Sequence, residues 1–383
     1  MNNNSNKFII LINNLNFFCS HRLPIAEAAL NESLNVVIGY GELGGADPLY
    51  LIQKGFKLSF VPMQRGGIDL FKNLKTFFYI WRFFRKEKPD IVHLVTIKPY
   101  LFGGILARIT GVRCVVSAVS GLGYLFINKD LKSKLLKLFI YPLYKLAFNH
   151  FNQVVIFHNE EDAKDLVKWG VINSSKIKVL KGSGIKLDKF TKFKEHPGTP
   201  VVCFASRLLI DKGVNEFILA AKILKERSVI ARFLLVGDLD MNNPKSLNRY
   251  DLMKIKSENI VEVFGYQDDI PSLFEKSHII CLPSYREGFP KVLIEAAAAS
   301  RAIVTTDVPG CRDSIIPNKT GILVPVKNSK SLANAIQDLL ENSKKRVLMG
   351  REGRKLAERE YSIENIVDSH LEIYKNLNSK NKR

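Results

Sequence analysis

No stretch of the 383 residues runs for about 18 uninterrupted apolar positions, the least a membrane-crossing helix needs, so a transmembrane segment is not expected. The five cysteines, Cys19, Cys114, Cys203, Cys281 and Cys311, contain no C-x-x-C pair. Their scatter argues against a disulfide framework and fits a reducing cytoplasm. The first apolar run, Phe8 to Ile12, is too short for a signal peptide and no small-residue cleavage site follows it, so it reads as a buried first strand. No internal repeat or low-complexity block interrupts the chain. Acidic residues are scarce, 37 Asp and Glu against 57 Lys and Arg for a net charge of +20. No nucleic-acid-binding motif accompanies that charge, so nucleic acid is not an expected partner.

What is present points to two domains. The length exceeds one ordinary core, and 46% hydrophobic residues suffice to bury two. Short β-branched runs alternate with helical patterns: FIILI, VVIGY, KLSFVP, DIVHLV, CVVSAV, QVVIFH and IKVLKG, then VVCFAS, RFLLVG, IVEVFG, IICLPS and AIVTTD. Strands this apolar, separated by helices, belong to parallel sheets covered on both faces. The expected architecture is α/β, with two Rossmann-like domains, 1–190 and 191–362, and a last helical segment, 363–383. The linker is placed near FTKFKEHPGTP, where Pro and Gly break the pattern. Ligands of such sheets bind beyond the carboxyl ends of the strands, so two facing domains would form a cleft.

The positive charge is uneven: residues 1–190 hold 26 Lys and Arg against 13 Asp and Glu. It concentrates in FKNLKTFFYIWRFFRKEK, 71–88, and KDLKSKLLKLFIYPLYKLAF, 129–148, where rings and aliphatics crowd among the cations. Such segments suit an anionic membrane surface. Each is equally compatible with an amphipathic helix whose apolar side faces its own core.

The densest chemistry lies in SYREGFPKVLIEAAAASRAIVTTDVPG, 284–310. Glu287 and Glu295 stand eight positions apart across a loop-to-helix junction. Gly288 permits close backbone approach, Pro290 suits a first helical turn, and Lys291 to Ser300 propagates the helix. Amides at the helix start favour an anion such as a diphosphate, while the two carboxylates accept hydrogen bonds from hydroxyls. Phosphate plus polyol means a nucleotide sugar. Arg207 follows the strand VVCFAS and Lys212 stands beside Gly213 as a helix starts, so both cations can reach one diphosphate. Asp238, Asp240, Asp268 and Asp269 invite a metal reading, since Mg²⁺ favours carboxylates, but loop and capping roles fit them better.

The E(x7)E element, FASRLLIDKG and TTDVPGCRDSI together resemble family 4 of the retaining glycosyltransferases, enzymes of the two-domain GT-B fold. HRLPIAEA at 21–28, SGLGYLF at 120–126, KGSGIKLDKF at 181–190 and ASRLLIDKGVNEF at 205–217 are similar to the subgroup that extends undecaprenyl-diphosphate-linked sugars. The resemblance implies that Arg207 and Lys212 neutralise the donor diphosphate without a metal or other cofactor. It gives Glu295 the ribose hydroxyls and Glu287 those of the donor sugar, with Gly288, Phe289 and Pro290 lining both. Uracil would lie near Gly265 and Tyr266, and the last helix would cross back to the first domain.

On the acceptor side, Thr96, Lys98, Ser120, Gly121 and Gly123 are expected to line the cleft, with Arg22 and Lys98 meeting an acceptor diphosphate. The Gly-rich first loop and the later-strand His of many family members are missing, which leaves His93 and His21 as candidate proton acceptors. No residue presents itself as a covalent nucleophile, in keeping with the same-face attack that the family implies. The expected reaction carries a hexose or N-acetylhexosamine from a UDP-sugar to a polyprenyl-diphosphate-linked saccharide at the inner membrane face, in cell-surface polysaccharide or glycan synthesis. A transferase with a soluble acceptor and a nucleotide-sugar epimerase of the same fold are the alternatives.

Overall fold

The apolar runs become two all-parallel sheets. A computed structural model describes residues 6–63, 69–122, 131–191, 194–241 and 243–379. The first sheet is built from β1 (Lys7–Asn14), β2 (Asn35–Glu42), β3 (Lys57–Phe60), β4 (Ile91–Val95), β5 (Cys114–Val119), β6 (Gln153–Phe157) and β7 (Ile177–Val179), in the order β3-β2-β1-β4-β5-β6-β7. The second takes β8 (Val201–Ala205), β9 (Arg232–Val236), β10 (Glu262–Phe264), β11 (Ile279–Leu282), β12 (Ala302–Thr306) and β13 (Gly321–Val324), in the order β10-β9-β8-β11-β12-β13. β13 was not anticipated from the sequence: GILV is a four-residue edge strand between Thr320 and Pro325.

Both faces of the first sheet are dry. Ile9 and Leu11 of β1 enter one apolar cluster, with Val92 and Leu94 of β4, while Phe8, Ile10 and Ile12 enter another on the opposite face. Alternate side chains are thus buried on opposite faces, which is why these strands read as continuous apolar runs. The helix Ile363–Ser379 covers the second face, burying Ile373, Tyr374 and Leu377 there; the Tyr374 ring lies 4.8 Å from that of Phe8.

Contacts divide the chain into one unit of residues 1–183 with 364–383 and another of 184–363. The boundary expected at 190 therefore lies seven residues earlier. Ile185 and Phe190 bury their side chains in the second core, and Ile185 exchanges main-chain hydrogen bonds with Tyr361 and Ile363, both at 2.9 Å.

The helix Leu70–Glu87 is apolar on two sides. Ile80, Phe83 and Phe84 are buried, while Phe71, Leu74, Phe78 and Trp81 recur at helical spacing on the outside, Phe71 at 84% exposure. Leu138 and Phe139 of the helix Leu131–Ala147 are exposed as well. Among the described residues no helix is long and apolar enough to cross a membrane.

Candidate functional site

The second sheet changes direction at β8: β9 and β10 extend to one side, β11 to β13 to the other. Loops diverge at such a switch point and leave a crevice at the carboxyl ends. Those ends carry Arg207 to Lys212 after β8 and Ser284 to Pro290 after β11. The two loops are stitched together. Ser284 Oγ donates to the Asp211 carbonyl at 3.0 Å and Tyr285 N donates to the same oxygen at 2.9 Å. Gly213 takes φ +76, and a Cβ there would lie 2.1 Å from the Pro283 carbonyl oxygen, so only glycine lets the helix Val214–Glu226 start this close to β11.

This packing brings Lys212 and Glu287 together as an ion pair with little exposure, 19% and 11% of the side chains. The turn at Glu287 is backed by the loop after β12. Glu287 N donates to the Pro309 carbonyl at 3.3 Å, and a Cβ on Gly310 would lie 2.6 Å from the carbonyl oxygens of Glu287 and Gly288.

Glu295 lies on the helix Lys291–Ala298, whose Leu293, Ile294 and Ala296 to Ala298 are buried. The helix is two residues shorter than expected because Ser300 turns left-handed, φ +58, where Gly350 packs against it. Pro290 is the cap residue rather than part of the first turn, and no side chain caps the helix. Burial raises the Glu295 carboxyl above the ordinary carboxylate range, against the pull of Lys291 at 3.6 Å. Tyr266, after β10, is 62% exposed, and its N–H donates to Asp238 Oδ1 at 3.3 Å. Burial first, then Asp268, Asp238 and Glu295, push its hydroxyl pKa up, which sets the Tyr266 loop in electrostatic reach of Glu295.

Arg207 pairs with Asp240 at 2.5 Å. Every cation singled out in this crevice therefore rests on a carboxylate: Arg207 on Asp240, Lys212 on Glu287, Lys291 on Glu295. A ligand diphosphate that draws the cations away would release Glu287 and Glu295 to accept bonds from sugar hydroxyls. The Phe289 ring packs on Tyr361, centroids 5.5 Å apart and nearly perpendicular, which fixes the loop from behind. The remaining acids have structural partners: Asp269 caps the helix Ile270–Glu275, and Asp238 holds the Tyr266 amide. Among the described residues no group of three His, Cys, Asp or Glu side chains is arranged to hold a metal.

In the first unit the order reverses between β1 and β4. Thr96, at φ +75 just after β4, donates from Oγ1 to Asn13 Oδ1 of β1 at 3.1 Å, tying the two strand ends together. Lys98 is half-buried near Glu42 and Asp69, and desolvation holds its ammonium pKa below the ordinary value. Ser120 follows β5 with its Oγ buried and, among the described residues, without a hydrogen-bond partner, and Gly121 takes φ +128. Gly123 lies outside the described residues.

Two expectations fail. Arg22 is 1% exposed: Nη1 donates to the His21 carbonyl at 3.0 Å and Nη2 lies 3.4 Å from His158 Nε2, so it cannot meet an acceptor diphosphate from this position. His93 is the middle residue of β4, not its end, and is fully buried under the last helix. Its Nδ1 lies 2.6 Å from the Tyr374 hydroxyl and its ring stacks on His370, which removes it as a proton acceptor for a ligand. His21 stacks on Phe17, with Nδ1 2.7 Å from Ser20 Oγ.

Comparison with known proteins fits this geometry. Residues 186–356 match the model for glycosyl transferases group 1, and residues 7–159 the glycosyl transferase 4-like model. The N,N'-diacetylbacillosaminyl-diphospho-undecaprenol alpha-1,3-N-acetylgalactosaminyltransferase of Campylobacter jejuni is 32% identical over 333 residues, 84% of this chain and 86% of its own. The chain belongs to the glycosyltransferases. A second relative of this glycosyltransferase, the UDP-Gal:alpha-D-GlcNAc-diphosphoundecaprenol alpha-1,3-galactosyltransferase of Escherichia coli, is 29% identical over 291 residues, 72% of this chain and 73% of its own. Among solved structures, Anabaena HepE in complex with UDP superposes with a TM-score of 0.73 over 97% of this chain and 100% of its own, at 18% identity. The glycosyltransferase thus has the GT-B fold of two Rossmann-like domains.

Proposed function

We propose that this glycosyltransferase is a retaining enzyme of family 4 that moves a hexose or N-acetylhexosamine from a UDP-sugar to a polyprenyl-diphosphate-linked saccharide, in cell-surface polysaccharide or glycan synthesis. The observation that carries the donor half is the crevice at the carboxyl ends of β8 and β11, where the stitched loops hold Lys212 against Glu287, with Arg207 earlier on the first loop and Glu295 on the helix that follows the second. Arg207 and Lys212 stabilise the charge that grows on the diphosphate as the sugar leaves, with no metal required. Glu295 takes the ribose hydroxyls and Glu287 those of the sugar, with Gly288 to Pro290 closing around them and Tyr266 beside the base. The acceptor oxygen attacks the anomeric carbon on the face the diphosphate vacates. The bond to the diphosphate oxygen breaks, and that oxygen takes the acceptor proton.

The lipid half is supported by the names of the two relatives, both of which act on undecaprenol-diphosphate sugars. It is also supported by the outer stripe Phe71, Leu74, Phe78 and Trp81, flanked by Lys72, Lys75, Arg82 and Arg85, which suits the inner face of an anionic membrane. Thr96, Lys98, Ser120 and Gly121 are the candidates for acceptor contact in the first unit. Offering lipid-linked and soluble acceptors side by side with a panel of labelled UDP- and GDP-sugars tests this reading. Product on the soluble acceptor alone would end the lipid half. An inverted anomeric configuration, read by proton NMR of the first product formed, would end the retaining half.

A further inference from the structure

Lys212 and Glu287 belong to loops from neighbouring strands, and their spacing depends on what ties those loops together. Besides the ion pair itself and the bonds to the Asp211 carbonyl, a further side-chain bond joins these segments: the Tyr285 hydroxyl donates to Glu216 Oε1 at 2.8 Å. Tyr285 stands two residues before Glu287, and Glu216 sits in the first turn of the helix that begins just after Lys212. Glu216 is 9% exposed, and its other oxygen, Oε2, is buried with no hydrogen-bond partner among the described residues. The amino end of its own helix favours a negative charge there, and Lys327 Nζ lies over the Tyr285 ring, 5.0 Å from its centroid. Burial, reinforced by Glu216, pushes the Tyr285 hydroxyl well above its ordinary pKa, so it remains a donor throughout the neutral range.

We propose that Tyr285 and Glu216 are a positioning pair that sets the distance between Lys212 and Glu287 for transfer. Without the hydroxyl, both Glu216 oxygens are buried and unpaired, and the carboxylate must move toward water or a new donor. Such a movement displaces the start of its helix. That start has no slack, because Gly213 already lies against the Pro283 carbonyl so closely that a Cβ would sit 2.1 Å from it. Displacement therefore passes to Lys212, next in the chain, and a shift of about 1 Å at a reacting group costs as much as about a hundredfold in rate. Because the paired charges act on the departing diphosphate and on the sugar, the loss falls on kcat rather than on donor KM.

The inference rests on the proposed donor site, and the test separates the two. Tyr285→Phe should lower kcat at least about tenfold with donor KM within about threefold. Glu216→Gln, whose side-chain carbonyl accepts the same bond, should stay close to wild type, whereas Glu216→Leu should match Tyr285→Phe. The double variant Tyr285→Phe with Glu216→Leu should be no slower than either single one, since both remove one interaction. Wild-type kcat in Tyr285→Phe, or losses that multiply in the double variant, would overturn the pair. So would a loss that only follows the folded fraction in thermal melts. If Tyr285→Phe folds poorly, the contrast between Glu216→Gln and Glu216→Leu carries the same test, and equal activity of those two sinks the proposal. Glu287→Ala is run in parallel: retained activity there removes the donor-site reading itself, whatever Tyr285 does.

Discussion

Acid should destabilise the first unit well before its carboxylates titrate. Arg22 is buried beside three histidines, His93, His158 and His370, and beside Tyr374. His158 Nδ1 donates to the Leu180 carbonyl at 2.9 Å and His370 Nδ1 to the Ile366 carbonyl at 2.7 Å, so a proton added to either ring goes to Nε2. Each such proton places a second cation near the Arg22 guanidinium in a dry core. Burial and then Arg22 push His158 down to about 4 and His370 down to about 3; burial, His370 and Arg22 hold His93 well below its ordinary value. In the unfolded chain all three titrate near about 6.5. The unfolded state thus binds more protons throughout the window between, and stability present above about pH 6.5 is lost as pH falls toward the folded values. At about pH 5, His158 and His370 should each cost about 2 kcal/mol, with His93 adding in the same direction. A loss of about 4 kcal/mol is a large part of the 5–15 kcal/mol that about one domain holds.

Both tryptophans, Trp81 and Trp169, lie in this unit, so emission during urea unfolding follows it selectively. The unfolding free energy should fall by at least about 4 kcal/mol between about pH 7 and about pH 5, and His370→Leu should remove about 2 kcal/mol of that dependence. An unchanged urea midpoint between the two pH values, or an undiminished pH slope in His370→Leu, would refute the reasoning. Because His370 and Tyr374 sit on the last helix, acid should free that helix along with the core it covers.

Two further outcomes follow from the site and the surface. Glu295→Ala should weaken UDP-sugar binding by about 1.5–3 kcal/mol, tenfold or more in calorimetry, with a smaller effect on kcat, because a ribose contact is equal in ground and transition states. A large kcat loss at unchanged affinity would move Glu295 to the reacting sugar. Phe78→Asp with Trp81→Asp should release the protein from anionic vesicles in a flotation assay, since both side chains stand on the exposed stripe; undiminished binding would assign that stripe to something other than a membrane.

The parallel sheets were legible because strands buried on both faces are apolar throughout, and Gly and Pro punctuate the loops at their carboxyl ends. Lys212 and Glu287 were singled out as residues just beyond strand ends, but their pairing depends on β8 and β11 being neighbours, which only the folded chain shows. Arg22 and His93 were misread because the local sequence says nothing of what covers a residue. The covering residues, His370 and Tyr374, lie hundreds of positions away; His93 and Tyr374 are 281 residues apart. Glu216, like Glu295, is a carboxylate in an otherwise apolar helix, here VNEFILAA, but no motif spacing marks it. Its partner Tyr285 is 69 residues distant and was visible only in the folded chain. The segment 71–88 was marked in the sequence as facing either a membrane or its own core; the helix Leu70–Glu87 has an apolar side for each, which a search for one face does not separate.

The most direct test of the account is the rate at which label from a UDP-sugar enters the organic phase with a polyprenyl-diphosphate-linked acceptor, for wild type and for Glu287→Ala. The account predicts transfer from one UDP-sugar by the wild type and a loss of at least about a hundredfold in Glu287→Ala, as for groups whose contacts strengthen in the transition state. Equal rates for the two proteins would contradict it.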